Sequence, residues 1–225
     1  MHHPVPHHLA IIPDGNRRYA KAHGLTVAEG YLMGLDKVVE TVRWWLEKGV
    51  RHVSAYAASQ ENVVRRPQLE MLAVFHAVEQ FFVALESTPG VHVHVFGDLE
   101  NLPKWTPNRQ KFLDRQDARP DDTLTVHIGL NYSGSAEIPF LLAQAERYGT
   151  VEVAASPEKY MLSRGVPPID LVIRSGGQRR LSGFLPYQTL YSELWFIEKY
   201  WPEIEIPDMQ ESFEWYAKQP RNFGK

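Results

Sequence analysis

At 225 residues the chain is long enough to bury one substantial core and to form two domains at most. With 24 basic and 27 acidic residues its net charge is −3, which argues against a nucleic acid or an anionic membrane as main partner. The absence of cysteine excludes disulfides and thiolate chemistry, and without a signal-peptide core or an apolar run of about 18 residues a cytoplasmic protein lacking a transmembrane segment is expected.

Residues 1–7, with His2, His3 and His7, read as a ragged N-terminus rather than a metal tract. Leu9-Ala10-Ile11-Ile12 suits a strand buried on both faces, as in a parallel sheet. Pro13 ends it, Asp14-Gly15-Asn16-Arg17-Arg18 turns the chain, and Tyr19-Ala20-Lys21-Ala22 has helix-forming composition. Open α/β sheets bind ligands at the carboxyl ends of their strands, where this turn falls. One carboxylate, a glycine and two guanidiniums would serve a diphosphate with its magnesium ion; a merely solvated turn is the alternative.

Leu35–Lys48 repeats apolar residues at helical spacing, with Gly49 placed as a cap. His52–Ala57 reads as a second strand running into the polar stretch 58–67, and Pro67 opens a helix over Gln68–Leu85 in which His76 is an ordinary helix histidine. Val91–Phe96 alternates as a strand; His92 and His94 share one face, expected to be solvated because no third zinc ligand is near. Residues 101–122 read as a mobile surface region with a short helix over 109–116. A strand over Thr123–Leu130, helices over 137–148 and 157–164, and a strand over Asp170–Ile173 complete the pattern.

Two separated stretches carry a resemblance. His8 to Ala20, HLAIIPDGNRRYA, and Asp170 to Phe184, DLVIRSGGQRRLSGF, are similar to the two signatures of the cis-prenyltransferases, the undecaprenyl diphosphate synthase family. Intermediate matches run along nearly the whole chain: Ser59, Glu61 and Asn62, the Gly97-Asp98 turn, Asn131-Tyr132, and Glu193 in Tyr191-Ser192-Glu193-Leu194. The resemblance implies a single α/β domain over 1–225, with a mainly parallel central sheet of about six strands flanked by helices and paired as a homodimer. The apolar stretch Phe184–Trp201 adds to the homodimer expectation.

It also implies a magnesium-dependent prenyltransferase joining two isoprenoid diphosphates, whose lipid product could bring it to a membrane surface. A prenyl donor must lose diphosphate, so its site needs cations and N–H donors. By resemblance Asp14 would hold magnesium, with Glu193 as a further metal ligand. Gly15, Asn16, Arg17, Arg18, Tyr31, Arg65 and Arg66 would face the donor diphosphate. Ser59, Glu61, Asn62, Arg174, Arg180 and Ser182 would face the acceptor. Either Asn16 or the acceptor's own diphosphate would manage the final proton. The helix after Pro67 would line a prenyl tunnel, where Phe75, Phe81 and Phe82 would limit the product to roughly three to seven isoprene units.

Several residues depart from the family pattern. Val27 and Tyr31 stand for an arginine and a histidine, Val63 for a tryptophan, Ser135 for an arginine, and Gln178-Arg179 for Glu-His. The C-terminal R-x-G-G-like element survives only as Arg221-Asn222-Phe223-Gly224. Tyr31 without the upstream arginine resembles the irregular, lavandulyl-type branch, which joins two allylic diphosphates head-to-middle with dimethylallyl diphosphate as acceptor. An ordinary short-chain enzyme using isopentenyl diphosphate is the alternative. A non-catalytic subunit is a third reading, disfavoured because Asp14 is intact.

Overall fold

A computed structural model describes residues 5–116 and 124–220. The elements run β1 (His8–Ile12), α1 (Asn16–Ala22), α2 (Val27–Lys48), β2 (His52–Ser59), α3 (Gln60–Arg65), α4 (Gln68–Glu86), β3 (Val91–Phe96) and α5 (Arg109–Leu113). They continue β4 (Leu124–Tyr132), α6 (Glu137–Tyr148), α7 (Thr150–Ala155), β5 (Leu171–Arg174), β6 (Glu193–Phe196) and α8 (Ile206–Tyr216). The six strands form one sheet in the order β3-β4-β2-β1-β5-β6, every neighbouring pair parallel. This is the α/β sheet that the strand-like runs imply.

β1 is buried along its whole length because both faces of the sheet are covered. Leu9 and Ile11 point into the larger core, with Val38, Val42 and Trp45 of α2 and Met71, Phe75 and Phe82 of α4. Ala10 and Ile12 point the other way, against Phe96, Val172, Phe184 and Leu185. α4 is long and apolar enough by composition to cross a membrane. Here Met71, Val74, Phe75, Val78, Phe81, Phe82 and Leu85 are buried against the sheet and its neighbours, so its apolarity is that of a core helix.

Several expectations need correction. α2 begins at Val27, eight residues earlier than the apolar repeat indicates, because a capping box forms: Thr26 Oγ1 accepts from the Glu29 amide at 3.2 Å and Glu29 Oε2 from the Thr26 amide at 2.7 Å. Residues 157–164 are not an α-helix but a 3₁₀ turn followed by turns. The buried Glu137 carboxylate fixes them by accepting from the amides of Leu162 and Ser163 at 2.8 and 3.2 Å. His94 is buried at 1% exposure and His92 is half-buried, so the face they share is not solvated. Val5 packs on the core and Pro6 is buried, so residues 5–7 are not ragged. The C-terminal Arg221–Gly224 element, residues 1–4 and residues 117–123 lie outside the described residues.

Candidate active site

At the carboxyl ends of β1, β2 and β5 a cleft of about 410 Å³ opens between α1, α2 and α4. Its mouth carries Asp14, Arg17, Arg18, Arg66 and Arg174; its depth is apolar, with Leu35, Val38, Val74, Val78, Phe81 and Ile128. Four guanidiniums face one carboxylate, an excess of three positive charges in a chain whose net charge is −3. The apolar depth arises because Val74, Ala77, Val78 and Phe81 fall on one face of α4, at the spacing that aligns side chains along a helix.

The turn after β1 is fixed from several directions. Gly15 has φ 106°, which a side chain adopts only with strain, and an added Cβ would meet Tyr200 Cδ1 at 2.7 Å. The Asp14 carbonyl accepts from Ser175 Oγ at 2.9 Å and from the Trp201 amide at 3.0 Å. Asp14 Oδ2 accepts from Arg174 Nη2 at 2.9 Å, and Arg18 Nη2 lies 3.2 Å from Oδ1. Burial pushes the Asp14 carboxyl up, but the bond and charge of Arg174, with those of Arg18, outweigh it and hold the group below the ordinary carboxylate range. Asp14 is therefore ionised at neutral pH. Arg174 is only 5% exposed and also donates to Ser182 Oγ at 2.9 Å and to the Arg180 carbonyl.

The cleft gathers Asp14, Gly15, Asn16, Arg17, Arg18, Tyr31, Ser59, Asn62, Arg66, Arg174 and Ser182. It does not gather four other expected residues. Arg65 is exposed and does not line the cleft, and Arg180 is exposed with Nη1 donating to Gln178 Oε1 at 2.6 Å. Glu61 stays outside the lining and accepts from Ser133 Oγ at 3.0 Å. Glu193 pairs with Leu171 at the start of β5, three positions before Arg174. That is about 10 Å along the strand from the carboxyl end, so within one chain Glu193 cannot share a metal with Asp14. Among Phe75, Phe81 and Phe82 only Phe81 lines the cleft; the other two pack on Phe112. Of Val27, Tyr31, Val63 and Ser135 only Tyr31 reaches it, Val63 being buried in the larger core.

Three contributors escape a reading of the sequence. Trp201 lines the cleft and donates from Nε1 to the Gly34 carbonyl at 2.8 Å, tying the segment after β6 to α2. Gly34 leaves room for Asn16, whose Oδ1 would overlap a methyl group there. Glu70 stands behind the arginines, 3.2 Å from Arg66 and 3.5 Å from Arg17. Trp201, Gly34 and the Glu70–Arg17 pair act through contacts between residues remote in sequence, and only the Glu70–Arg66 pair is local. The one signal in the sequence that bears on them is the Gly30-x-x-x-Gly34 spacing, which lets α2 approach α1.

The model of the undecaprenyl diphosphate synthase family matches residues 12–224. A tritrans,polycis-undecaprenyl-diphosphate synthase (geranylgeranyl-diphosphate specific) from Pyrobaculum aerophilum is 35% identical, over 98% of this chain and 97% of its own. An isoprenyl transferase from Thermotoga maritima is 33% identical, again over 98% and 97%. The crystal structure of lavandulyl diphosphate synthase from Lavandula x intermedia, in complex with dimethylallyl diphosphate, superposes with a TM-score of 0.85 over 98% of this chain and 99% of that one. At 23% identity that likeness speaks for the fold alone. Signatures, sheet and relatives agree: the chain belongs to the undecaprenyl diphosphate synthase family of prenyltransferases.

Proposed function

We propose that the cleft binds an allylic diphosphate with its head at the arginines and its chain along α4, and joins it to a second isoprenoid diphosphate with loss of diphosphate. The observation that carries this reading is the division of one cleft into a cationic mouth and an apolar depth. Preorganised guanidiniums neutralise charge as it develops on the leaving diphosphate. Magnesium suits the mouth. Asp14 is a hard oxygen donor, and in the same turn Asn16 Oδ1 is buried without a partner. Among the described residues no three His, Cys, Asp or Glu side chains are arranged to hold a metal ion by themselves. Asp14 would therefore hold the ion together with phosphate oxygens of the ligand, where it would offset the charge of the departing group.

For the acceptor, head-to-tail addition of isopentenyl diphosphate is the better supported reading. The relatives above 30% identity are named for undecaprenyl diphosphate synthesis or isoprenyl transfer. Of the four departures in segments expected to surround the two substrates, Val27, Val63 and Ser135 do not line the cleft. Head-to-middle joining with dimethylallyl diphosphate as acceptor rests on Tyr31, which does line the cleft. The test is incubation with magnesium and defined allylic diphosphates, with and without isopentenyl diphosphate, followed by product structure by NMR. A linear cis chain formed only with isopentenyl diphosphate is expected; a branched product without it would establish the second reading. No turnover in either mixture would overturn both.

Pairing of two copies is also proposed. Ile138 and Leu142, one turn apart on α6, are 71% and 64% exposed, and Leu190 before the edge strand β6 is 69% exposed. Pairing would cover these side chains and remove their apolar surface from water. Light scattering should report a two-chain species, and a monodisperse monomer would remove the proposal.

A further inference from the structure

We propose that Tyr31 and Glu70 form a strut that aims the Arg66 guanidinium into the cleft, so that Arg66, not Tyr31, is the phosphate-facing group on this wall. The inference rests on the diphosphate reading of the cleft. Tyr31 belongs to α2, Arg66 ends α3 and Glu70 lies in the first turn of α4, so the contact joins three helices. Arg66 Nη1 donates to the Tyr31 hydroxyl at 2.6 Å, and that hydroxyl donates to Glu70 Oε1 at 3.1 Å. A phenol has one proton. Spent on Glu70, it is not available to a phosphate oxygen.

Glu70 closes the arrangement. Its Oε1 lies 3.2 Å from Arg66 Nη1 and 3.5 Å from Arg17 Nη1, yet the residue is not among those lining the cleft. A carboxylate behind the arginines cannot be a ligand for an anion. What it can do is hold them: each long side chain otherwise samples many rotamers, and fixing it before the ligand arrives reduces the ordering cost of binding. Burial pushes the Tyr31 hydroxyl up to about 12, so it stays protonated and the hydrogen-bond direction is kept at working pH. Tyr31 and Glu70 are thus positioning residues, and Arg66 is the binding group.

The test is titration of inorganic pyrophosphate, with magnesium, into the full chain and its variants Tyr31→Phe, Glu70→Gln, Arg66→Ala and the double variant Tyr31→Phe/Arg66→Ala. The ring and the side-chain shape are kept in the first two, so the fold is little disturbed. Each of these should lose affinity by about tenfold, the coupling expected within one network. In the Arg66→Ala background Tyr31→Phe should add nothing, because a strut without its arginine has no task. A separate loss in that background would show a direct or merely structural role for Tyr31 and overturn the inference. Tighter binding by Glu70→Gln would also overturn it, since the carboxylate would then compete with the ligand. Wild-type protein that fails to bind pyrophosphate would instead overturn the diphosphate reading itself, and the strut with it.

Discussion

Asp14 sits between two guanidiniums, and that pairing governs what its replacement does. Arg174 is 5% exposed and its charge is met by Asp14 at 2.9 Å. Asp14→Ala would leave a buried cation uncompensated, a loss of about 3–5 kcal/mol, so it tests stability as much as chemistry. Asp14→Asn keeps the shape and one acceptor oxygen. It should cut turnover about a thousandfold or more by removing the charge, while the hydrogen bond it can still accept from Arg174 keeps the fall in melting temperature below that of Asp14→Ala. Near-normal turnover in Asp14→Asn would take the carboxylate out of the mechanism. Gly34→Ala makes a companion test: its methyl overlaps Asn16 Oδ1, so kcat should fall alongside a stability loss of about 1–3 kcal/mol. Unchanged kcat there would free Asn16 from any role. Asp14, Arg18, Arg174 and Ser182 were legible because two short signatures contain them. Gly34, Glu70 and Trp201 were not, because what they do depends on contacts that only the fold makes: Gly34 with Asn16, Trp201 with Gly34, and Glu70 with Tyr31 and Arg17.

Helix α4 shows how far an element can be read from its residues. Pro67 and the apolar run place it correctly, but its apolar residues surround the axis, so the pattern alone cannot say which face meets the cleft. Hence three phenylalanines were candidates for ending the tunnel, and the packing leaves one. Phe81 lies fifteen residues beyond Arg66, about 22 Å along the helix, at the far end of the face that lines the cleft. Phe81→Ala should shift products to longer chains if this ring stops growth, whereas Phe75→Ala should mainly cost stability, about 3–5 kcal/mol. Chromatography of the prenyl products decides: unchanged lengths in Phe81→Ala would clear the ring of that task. β6 was missed for a different reason. Four residues, Glu-Leu-Trp-Phe, three half-exposed and Leu194 exposed, carry no strong period of two at a sheet edge.

At the scale of the whole molecule, a chain of imidazoles stitches the sheet together across β1 to β4. His94 Nε2 meets the Gln116 carbonyl at 3.1 Å; a carbonyl only accepts, so this nitrogen carries the proton. His94 Nδ1 must then accept from His127 Nδ1 at 2.8 Å, and His127 Nε2 from His52 Nδ1 at 3.1 Å. On β1, His8 Nδ1 faces the carbonyls of Pro167 and Pro168, each at 3.0 Å, and Nε2 accepts from Ser54 Oγ at 2.8 Å. Every bond is satisfied with neutral rings, and a further proton on His127 would have to displace one. Burial, then the neighbouring His52, lowers His8 to about 3, and burial with His94 and His8 takes His127 well below its ordinary value of 6.5. The unfolded chain therefore binds protons that the folded chain refuses. Stability should be full above pH about 6.5 and fall as pH drops below it, by about 2 kcal/mol per buried histidine at pH 5. Depressed carboxylates such as Asp14 act in the same direction but only nearer their own ordinary range, below pH about 5. Urea midpoints at pH 7.5 and 5.0 should thus differ by a large part of a typical domain's stability of about 5–15 kcal/mol, and His127→Gln should flatten the dependence. Equal midpoints at the two pH values would mean that the imidazole chain takes up protons without strain, and that the sheet is held without it.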